Sequence, residues 1–114
     1  MSVESFLEKL STAPESVSFN DTIAVIEGNY DFSETAFTNG GAENQAGQNN
    51  GSCKIFAFGR LNGLTEQQTL HCFGDYYRVD VLQNPDGNDH QNIRNFIEHG
   101  WAGIDFKGEA LAAK

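Results

Sequence analysis

Residues 52–64, Ser-Cys-Lys-Ile-Phe-Ala-Phe-Gly-Arg-Leu-Asn-Gly-Leu, decide between a mainly helical fold and a more sheet-rich one. The apolar run at 55–58 suits a buried strand as well as a buried helix, because it is too short for its periodicity to distinguish them. Ser52 is a suitable helix N-cap, and Asn62-Gly63 is typical of a helix end. We therefore predict a helix from Cys53 to about residue 61, with a strand over 53–58 as the alternative.

Four more helices are predicted, two before this segment and two after it, because apolar residues recur there at helical spacing and follow suitable N-caps. The first has an apolar face from Val3 to Leu10, and a capping box of Ser18 with Asp21 begins the second. Thr65 and Gln68 form another capping box. The predicted helix starts are Ser2, Ser18, Thr65, and Asn88 or Asp89.

Residues 31–51 lose helical periodicity and become rich in Gly, Asn and Gln, so we predict a long loop anchored to the core by Phe37. Asn39-Gly40 is a hairpin-type turn signal, and residues 104–106 alternate as a short strand does. The predicted fold is mainly α, with about five short helices, a long Gly/Asn-rich loop and room for one or two short β-strand pairs.

The chain has 114 residues and a formal net charge of −9, and these two values limit the number of domains and the kinds of partner. That length fits one domain over residues 1–114, with residues 107–114 expected as a loosely held tail. An acidic surface repels phosphate backbones and anionic lipids, so we expect neither a nucleic acid nor a membrane as partner. No apolar run approaches the roughly 20 residues of a membrane helix, and no basic segment typical of a secretory signal opens the chain.

Cys53, His90 and Asp89 are the candidate catalytic residues. Cys53 and His90 are both expected in the first turn of a helix, where free N–H groups and the helix dipole favour a thiolate. Asp89 could orient the histidine, and Asn39 or Asn49 could donate to an oxyanion. The simpler interpretation is that Cys53 is a buried packing residue and that Asp89 caps its helix.

The Asn-rich segment and the helix start behind it offer a second kind of site, one for binding. Asn39, Asn44 and Asn49 supply amide groups, and Ser52 and Lys54 lie at the helix start. Backbone N–H groups at a helix start can hold an anion, so a small ligand or a peptide could bind here. The spacing is not that of a phosphate-binding P-loop. The simpler interpretation is an ordered loop whose amides bond its own turns.

Aromatic residues provide further candidates. Trp101 could form a surface platform for a partner, although core packing is the simpler interpretation of its flanking glycines. We expect Tyr77 inside and Tyr76 nearer the surface, where Tyr76 and Phe73 could line a pocket with the loop. Residues 86–97 do not complete a calcium loop, and the two cysteines lack paired zinc ligands, so we predict no metal and no cofactor.

Several motifs together resemble the HopJ family of bacterial proteins, named after a type III effector. They are Thr35–Phe58, Cys72–Arg78 (Cys-Phe-Gly-Asp-Tyr-Tyr-Arg), Asp89–Phe96 (Asp-His-Gln-Asn-Ile-Arg-Asn-Phe), His99–Gly103 and Gly108–Leu111. The resemblance covers nearly the whole chain. It implies a binding or interaction protein, either an effector or a housekeeping relative, with an unidentified protein or small-molecule partner. It places the protein in the bacterial cytoplasm or, alternatively, in a host cell after type III secretion.

Two functional hypotheses therefore remain, a binding protein and a small hydrolase that uses Cys53 or His90 with the Asn-rich loop. We favour binding because no complete catalytic set can be identified in the sequence. The enzyme hypothesis expects Cys53 or His90 at the floor of a concave pocket with hydrogen-bond partners. Deep burial of Cys53 would exclude the thiol mechanism.

Overall fold

The computed structural model describes residues 2–114 and confirms a mainly helical domain. The α-helices are α1 Val3–Thr12, α2 Phe19–Asn29, α3 Asn50–Leu61, α4 Glu66–His71 and α5 Gln91–His99. Short 3₁₀ helices occupy Pro14–Ser16 and Gly100–Gly103, and a π-helix occupies Tyr76–Val81. The strands are β1 Tyr30–Phe32, β2 Phe37–Asn39, β3 Ala42–Asn44, β4 Ile104–Phe106 and β5 Leu111–Ala113. No helix among residues 2–114 is long and apolar enough to cross a membrane.

Residues 53–58 are helical, and they form the centre of α3. Every residue from Ile55 to Gly59 is buried, as is Cys53, so the helix is surrounded on most sides by the core. That enclosure explains the continuous apolar run, which resembled a buried strand. Ser52 was the expected N-cap, but it lies within the helix, because α3 begins at Asn50 and its N-cap residue is Asn49.

The predicted long loop over residues 31–51 is not confirmed, because the segment contains β2, β3 and most of β1. Strands β2 and β3 form the hairpin indicated by Asn39-Gly40, and β2 also pairs antiparallel with β4. The turn uses Gly40 and Gly41 at positive φ, a conformation that glycine adopts without steric cost. Each strand has three residues, too few to show an alternating pattern in the sequence.

The C-terminal residues are also more ordered than the expected loose tail. Leu111–Ala113 form β5, which pairs antiparallel with Tyr30–Phe32. Ala110 and Leu111 are buried in the core, so the chain end is fixed by apolar contacts as well as by the strand pairing.

The segment after α4 passes closely against the start of α2. Gly74 has φ +62°, and a Cβ there would lie 2.6 Å from the backbone nitrogen of Phe19. The hydroxyl of Thr22 donates to the carbonyl of Cys72 at 2.9 Å. These contacts place Phe19 beside Tyr76 on the π-helix, with 5.0 Å between their ring centroids.

Candidate functional site

A cavity of about 410 Å³ lies between the first turns of α3 and α5 and is called the helix-start pocket below. It combines polar groups from the Asn-rich segment with aromatic side chains. Its lining residues are Phe19, Ala42, Asn44, Asn49, Gly51, Ser52, Phe73, Tyr76, His90, Gln91, Asn92 and Ile93.

Both helices begin at this pocket, and each is preceded in the chain by a residue in the left-handed backbone conformation. Asn49 has φ 52° and precedes α3, and His90 has φ 49° and precedes α5. They are the only non-glycine residues with positive φ among residues 2–114. Neither side chain caps its helix, and N–H groups of a first turn commonly lack a partner within the helix, although the Ile93 N–H of α5 donates to the His90 carbonyl. Two sets of backbone donors therefore begin at one cavity.

A network of asparagine side chains forms one side of the pocket. Asn39 Nδ2 donates to Asn92 Oδ1 at 3.0 Å and to the Asn92 carbonyl at 2.8 Å. Asn44 and Asn92 exchange side-chain hydrogen bonds of 3.3 and 3.1 Å. Asn49 Nδ2 donates to Asn44 Oδ1 at 2.7 Å. The network connects the hairpin to the starts of α3 and α5, and within the described residues Asn39 Oδ1 is buried without a partner.

Four rings also line the pocket, and three of them, those of Phe19, Tyr76 and His90, pack in a row. Tyr76 meets Phe19 edge-on and lies 5.1 Å from the His90 ring with an interplanar angle of 33°. His90 Nε2 is 3.1 Å from Asp80 Oδ2, which fixes the imidazole against Tyr76. Tyr76 is 43% exposed, and Tyr77 is buried, as expected. Tyr76 thus presents a ring held in place on both sides.

Cys53 is not among the residues that line the pocket. It is 1% exposed, and its thiol donates to the Thr35 carbonyl at 3.6 Å. Burial raises the pKa of the Cys53 thiol to about 11, and that of Cys72 to about 12. A neutral, enclosed thiol is a poor nucleophile, so Cys53 does not enter the function proposed below.

Asp89 is exposed and pairs with Arg94 at 2.6 Å. The Arg94 hydrogen bond holds the pKa of the Asp89 carboxyl below its ordinary value. His90 lies 4.0 Å from Asp89 but is bonded to Asp80, which the sequence did not identify. His90, and not Asn88 or Asp89, occupies the N-cap position of α5. Among residues 2–114, no three His, Cys, Asp or Glu side chains gather in a way that could hold a metal ion.

Lys54 and Trp101 lie elsewhere on the molecule. Lys54 Nζ is 3.5 Å from Glu27 and 4.9 Å from the centroid of the Phe32 ring. Trp101 donates from Nε1 to the Leu64 carbonyl and packs edge-on against a core phenylalanine, so it is fixed in the fold. Of the predicted candidates, the structure brings together Asn44, Asn49, Ser52 and His90 at the pocket, with Asn39 bonded behind them.

Sequence reasoning missed Asn92 and Phe19 as pocket residues. Asn92 precedes the apolar face that begins at Ile93, and a buried polar residue within such a helix gives no periodic signal. Phe19 follows a predicted N-cap and was one of several phenylalanines available to the core. Phe73 and Tyr76, in contrast, line the pocket as the sequence allowed.

Comparisons with known proteins agree with this fold and do not assign an activity. The family model described as HopJ type III effector protein matches residues 3–111. The crystal structure of the protein VPA0580, described as of unknown function, is similar over 100% of this chain and 95% of its own, with 58% sequence identity and a TM-score of 0.99. No curated protein matches the chain. The protein belongs to the HopJ family.

Proposed function

We propose that this member of the HopJ family is a binding protein that holds a small polar ligand in the helix-start pocket. The observation that carries the proposal is the convergence of two helix starts without side-chain caps, at Asn49 and His90, on one cavity. A solvent-exposed connection would not need two strained residues next to the same opening. Binding energy at such a place comes from donors that are already oriented.

The pocket favours a ligand with an acceptor oxygen. The N–H groups of the first turns of α3 and α5 carry partial positive charge, and carboxylate or carbonyl oxygens are stabilised there. Ser52 and Asn49 add side-chain donors at the same opening. The net charge of −9 repels simple anions at a distance, so the preferred ligand carries its acceptor on a neutral, dipolar or cationic molecule.

The rings of Phe19 and Tyr76 favour a ligand that also has a flat or aliphatic part. Small-molecule sites commonly combine an apolar wall with a few convergent polar groups. The Asn44–Asn92 hydrogen bonds hold the polar side rigid, which lowers the ordering cost of binding. The pocket therefore suits a small molecule with a planar group attached to a carbonyl or carboxylate.

Two matched variants test the proposal. Ala42 lines the pocket on β3, and Ala42→Leu should fill it. Ala112 is exposed on β5, and Ala112→Leu adds the same bulk to another short strand. We expect benzamide, titrated into ¹⁵N-labelled protein, to shift the backbone resonances of Gly51, Ser52 and Gln91 in the wild type and in Ala112→Leu. Those shifts should disappear in Ala42→Leu.

Shifts scattered over the surface, or unchanged shifts in Ala42→Leu, would contradict a site in this pocket. Acetate serves as the control probe, because it supplies the acceptor without the ring. Acetate should move the same resonances at much higher concentration, since it lacks the contact with Phe19 and Tyr76.

Hydrolysis is the second candidate, and the His90–Asp80 pair at the pocket is the observation that favours it. A histidine held by a carboxylate can act as a general base, which contributes roughly 10²–10⁴-fold to a rate. Ser52 lines the same cavity, but His90 is hydrogen-bonded to Asp80 and not to Ser52. An enzyme should hydrolyse p-nitrophenyl acetate faster than free imidazole does and lose that rate in His90→Gln. A rate that survives His90→Gln would exclude this candidate.

A further inference from the structure

We propose that the ligand is an extended dipolar molecule that crosses Tyr76, with its acceptor end in the helix-start pocket and a cationic end in a second cavity. This inference rests on the proposed function of that pocket. The chemical class is a molecule with a carboxylate at one end and a guanidinium or ammonium group at the other. A free basic amino acid and the C-terminus of a peptide ending in a basic residue both have this chemistry.

The second cavity, called the acidic cavity below, has a volume of about 370 Å³ and shares a wall with the helix-start pocket. Phe19 and Tyr76 line both cavities. The other residues of the acidic cavity are Glu15, Ser16, Val17, Ser18, Asn20, Asp75 and Arg78. A molecule longer than one cavity can therefore continue into the other along the same pair of rings.

Tyr76 is suited to lie under the middle of such a ligand. The residue is 43% exposed, so it is available for contact. Phe19 on one side and His90 on the other hold it in position, at centroid distances of 5.0 and 5.1 Å. An aliphatic stem that lies along an aromatic ring buries apolar area while its charged end stays free. The ring thus joins the two cavities without needing to move.

The acidic cavity favours a cationic group. Glu15 and Asp75 are both exposed, and within the described chain neither carboxylate forms an ion pair. Arg78 is the cation of this cavity, but its guanidinium is half-buried and donates to the carbonyls of Pro14 and Val17. Two carboxylates and one enclosed guanidinium leave a local excess of negative charge, which the net charge of −9 reinforces.

Four small probes measured by isothermal titration calorimetry and ¹⁵N NMR test each end of the ligand. L-Arginine carries both ends, L-citrulline has the same shape without the charge, and L-argininamide lacks the carboxylate. We expect arginine to bind about ten-fold more tightly than either analogue, the difference that one charge-assisted contact gives. The dipeptide Gly-Arg separates the two sources, because a peptide site should bind it more tightly than arginine and an amino-acid site less tightly.

Variants locate the cationic end. Glu15→Gln combined with Asp75→Asn should lower arginine affinity to the level of citrulline. Glu8→Gln combined with Asp31→Asn changes the net charge equally at two exposed residues elsewhere and should leave arginine affinity nearly unchanged. The inference is overturned if arginine and citrulline bind equally, if the two double variants behave alike, or if benzamide binds and arginine does not. In those cases Ala42→Leu still abolishes benzamide binding, and the pocket itself stands. Benzamide binding that survives Ala42→Leu overturns the proposed function instead.

Discussion

Replacing Asn92 with alanine tests whether the asparagine network at the pocket is a structural element of the fold. Asn92 is 9% exposed, and its side chain makes three hydrogen bonds to two other asparagines. The partners keep other bonds in the variant. Asn39 Nδ2 retains the backbone carbonyl of residue 92, and Asn44 Oδ1 retains Asn49 Nδ2. The substitution therefore removes bonds without leaving those two atoms unpaired.

The expected loss follows from these contacts. A neutral hydrogen bond contributes about 1 kcal/mol net to stability, so three bonds amount to about 3 kcal/mol. Alanine is a better helix former than asparagine by about 0.6 kcal/mol, and residue 92 lies in the first turn of α5. The free energy of unfolding should fall by about 2–2.5 kcal/mol, which corresponds to a decrease in Tm of roughly 8–10 °C in a domain of this size.

Asn95→Ala is the matched control on the same helix. Asn95 is half-buried, and its side chain makes one long bond of 3.3 Å to the Asn39 carbonyl. The same gain in helix propensity should nearly offset that bond, leaving stability within about 0.5 kcal/mol of the wild type. Urea unfolding followed by circular dichroism and by Trp101 fluorescence measures both variants. Equal stabilities for Asn92→Ala and Asn95→Ala would refute the assigned role of the network.

Three further predictions concern other parts of the fold. At pH 8, alkylation of Cys53 by iodoacetamide should be about 100-fold slower than that of a thiol with the ordinary pKa of 9.0, because burial raises the pKa to about 11. Cys72 should be at least as slow, and rapid labelling of either native thiol would contradict the burial. Gly74→Ala should lower the free energy of unfolding by more than about 2 kcal/mol, since φ is +62° and the new Cβ would lie 2.6 Å from a backbone nitrogen of α2. An urea midpoint equal to that of the wild type would contradict this. The backbone hydrogen bond from Ser18 and the contact with Lys9 lower the pKa of Asp21, so its stabilising contribution is present above pH 3.8 and is lost as the pH falls through the lower folded pKa. The stability difference between the wild type and Asp21→Asn should therefore shrink in acid, and a difference independent of pH would count against it.

The helices could be predicted because their signals are local. Both capping boxes form as the sequence indicated, with Ser18 accepting from the Asp21 N–H and Thr65 from the Gln68 N–H. Ser2 likewise accepts a hydrogen bond from the Ser5 backbone N–H at the start of α1. A cap needs only residues three positions apart, so a single sequence contains all the information.

The pairing of the C-terminal strand with β1 could not be predicted in this way. Strand β5 pairs with β1, and their partners are about eighty positions apart, as in Tyr30 with Ala113. Each strand has three residues, so no alternation identifies them, and only the tertiary fold brings them together. The same holds for Asn92, whose three bonds go to residues about fifty positions away along the chain.

Part of the candidate site could be predicted, and the part that could not is conformational. The amide-rich composition identified Asn44 and Asn49 as binding candidates, and both line the pocket. The left-handed backbone at Asn49 and His90 has only a weak signal in the sequence, because glycine normally marks such a position and asparagine and histidine are merely enriched there among the other residues. The predicted N-caps for α3 and α5 were displaced for that reason.

These two left-handed residues are also the strongest physical link between the fold and a function. Glycine would adopt the same conformation without strain, whereas a residue with a Cβ costs roughly 1–2 kcal/mol. Both side chains make contacts that glycine could not make, since Asn49 bonds Asn44 at 2.7 Å, and His90 bonds Asp80 at 3.1 Å and packs against the Tyr76 ring. The neutral hydrogen bond of Asn49 contributes about 1 kcal/mol, which only offsets the strain at that residue. The bond of His90 to a carboxylate and its contact with the Tyr76 ring contribute more. Stability alone therefore gives no reason for the side chain of Asn49 at its position, whereas presentation of its amide at the cavity does.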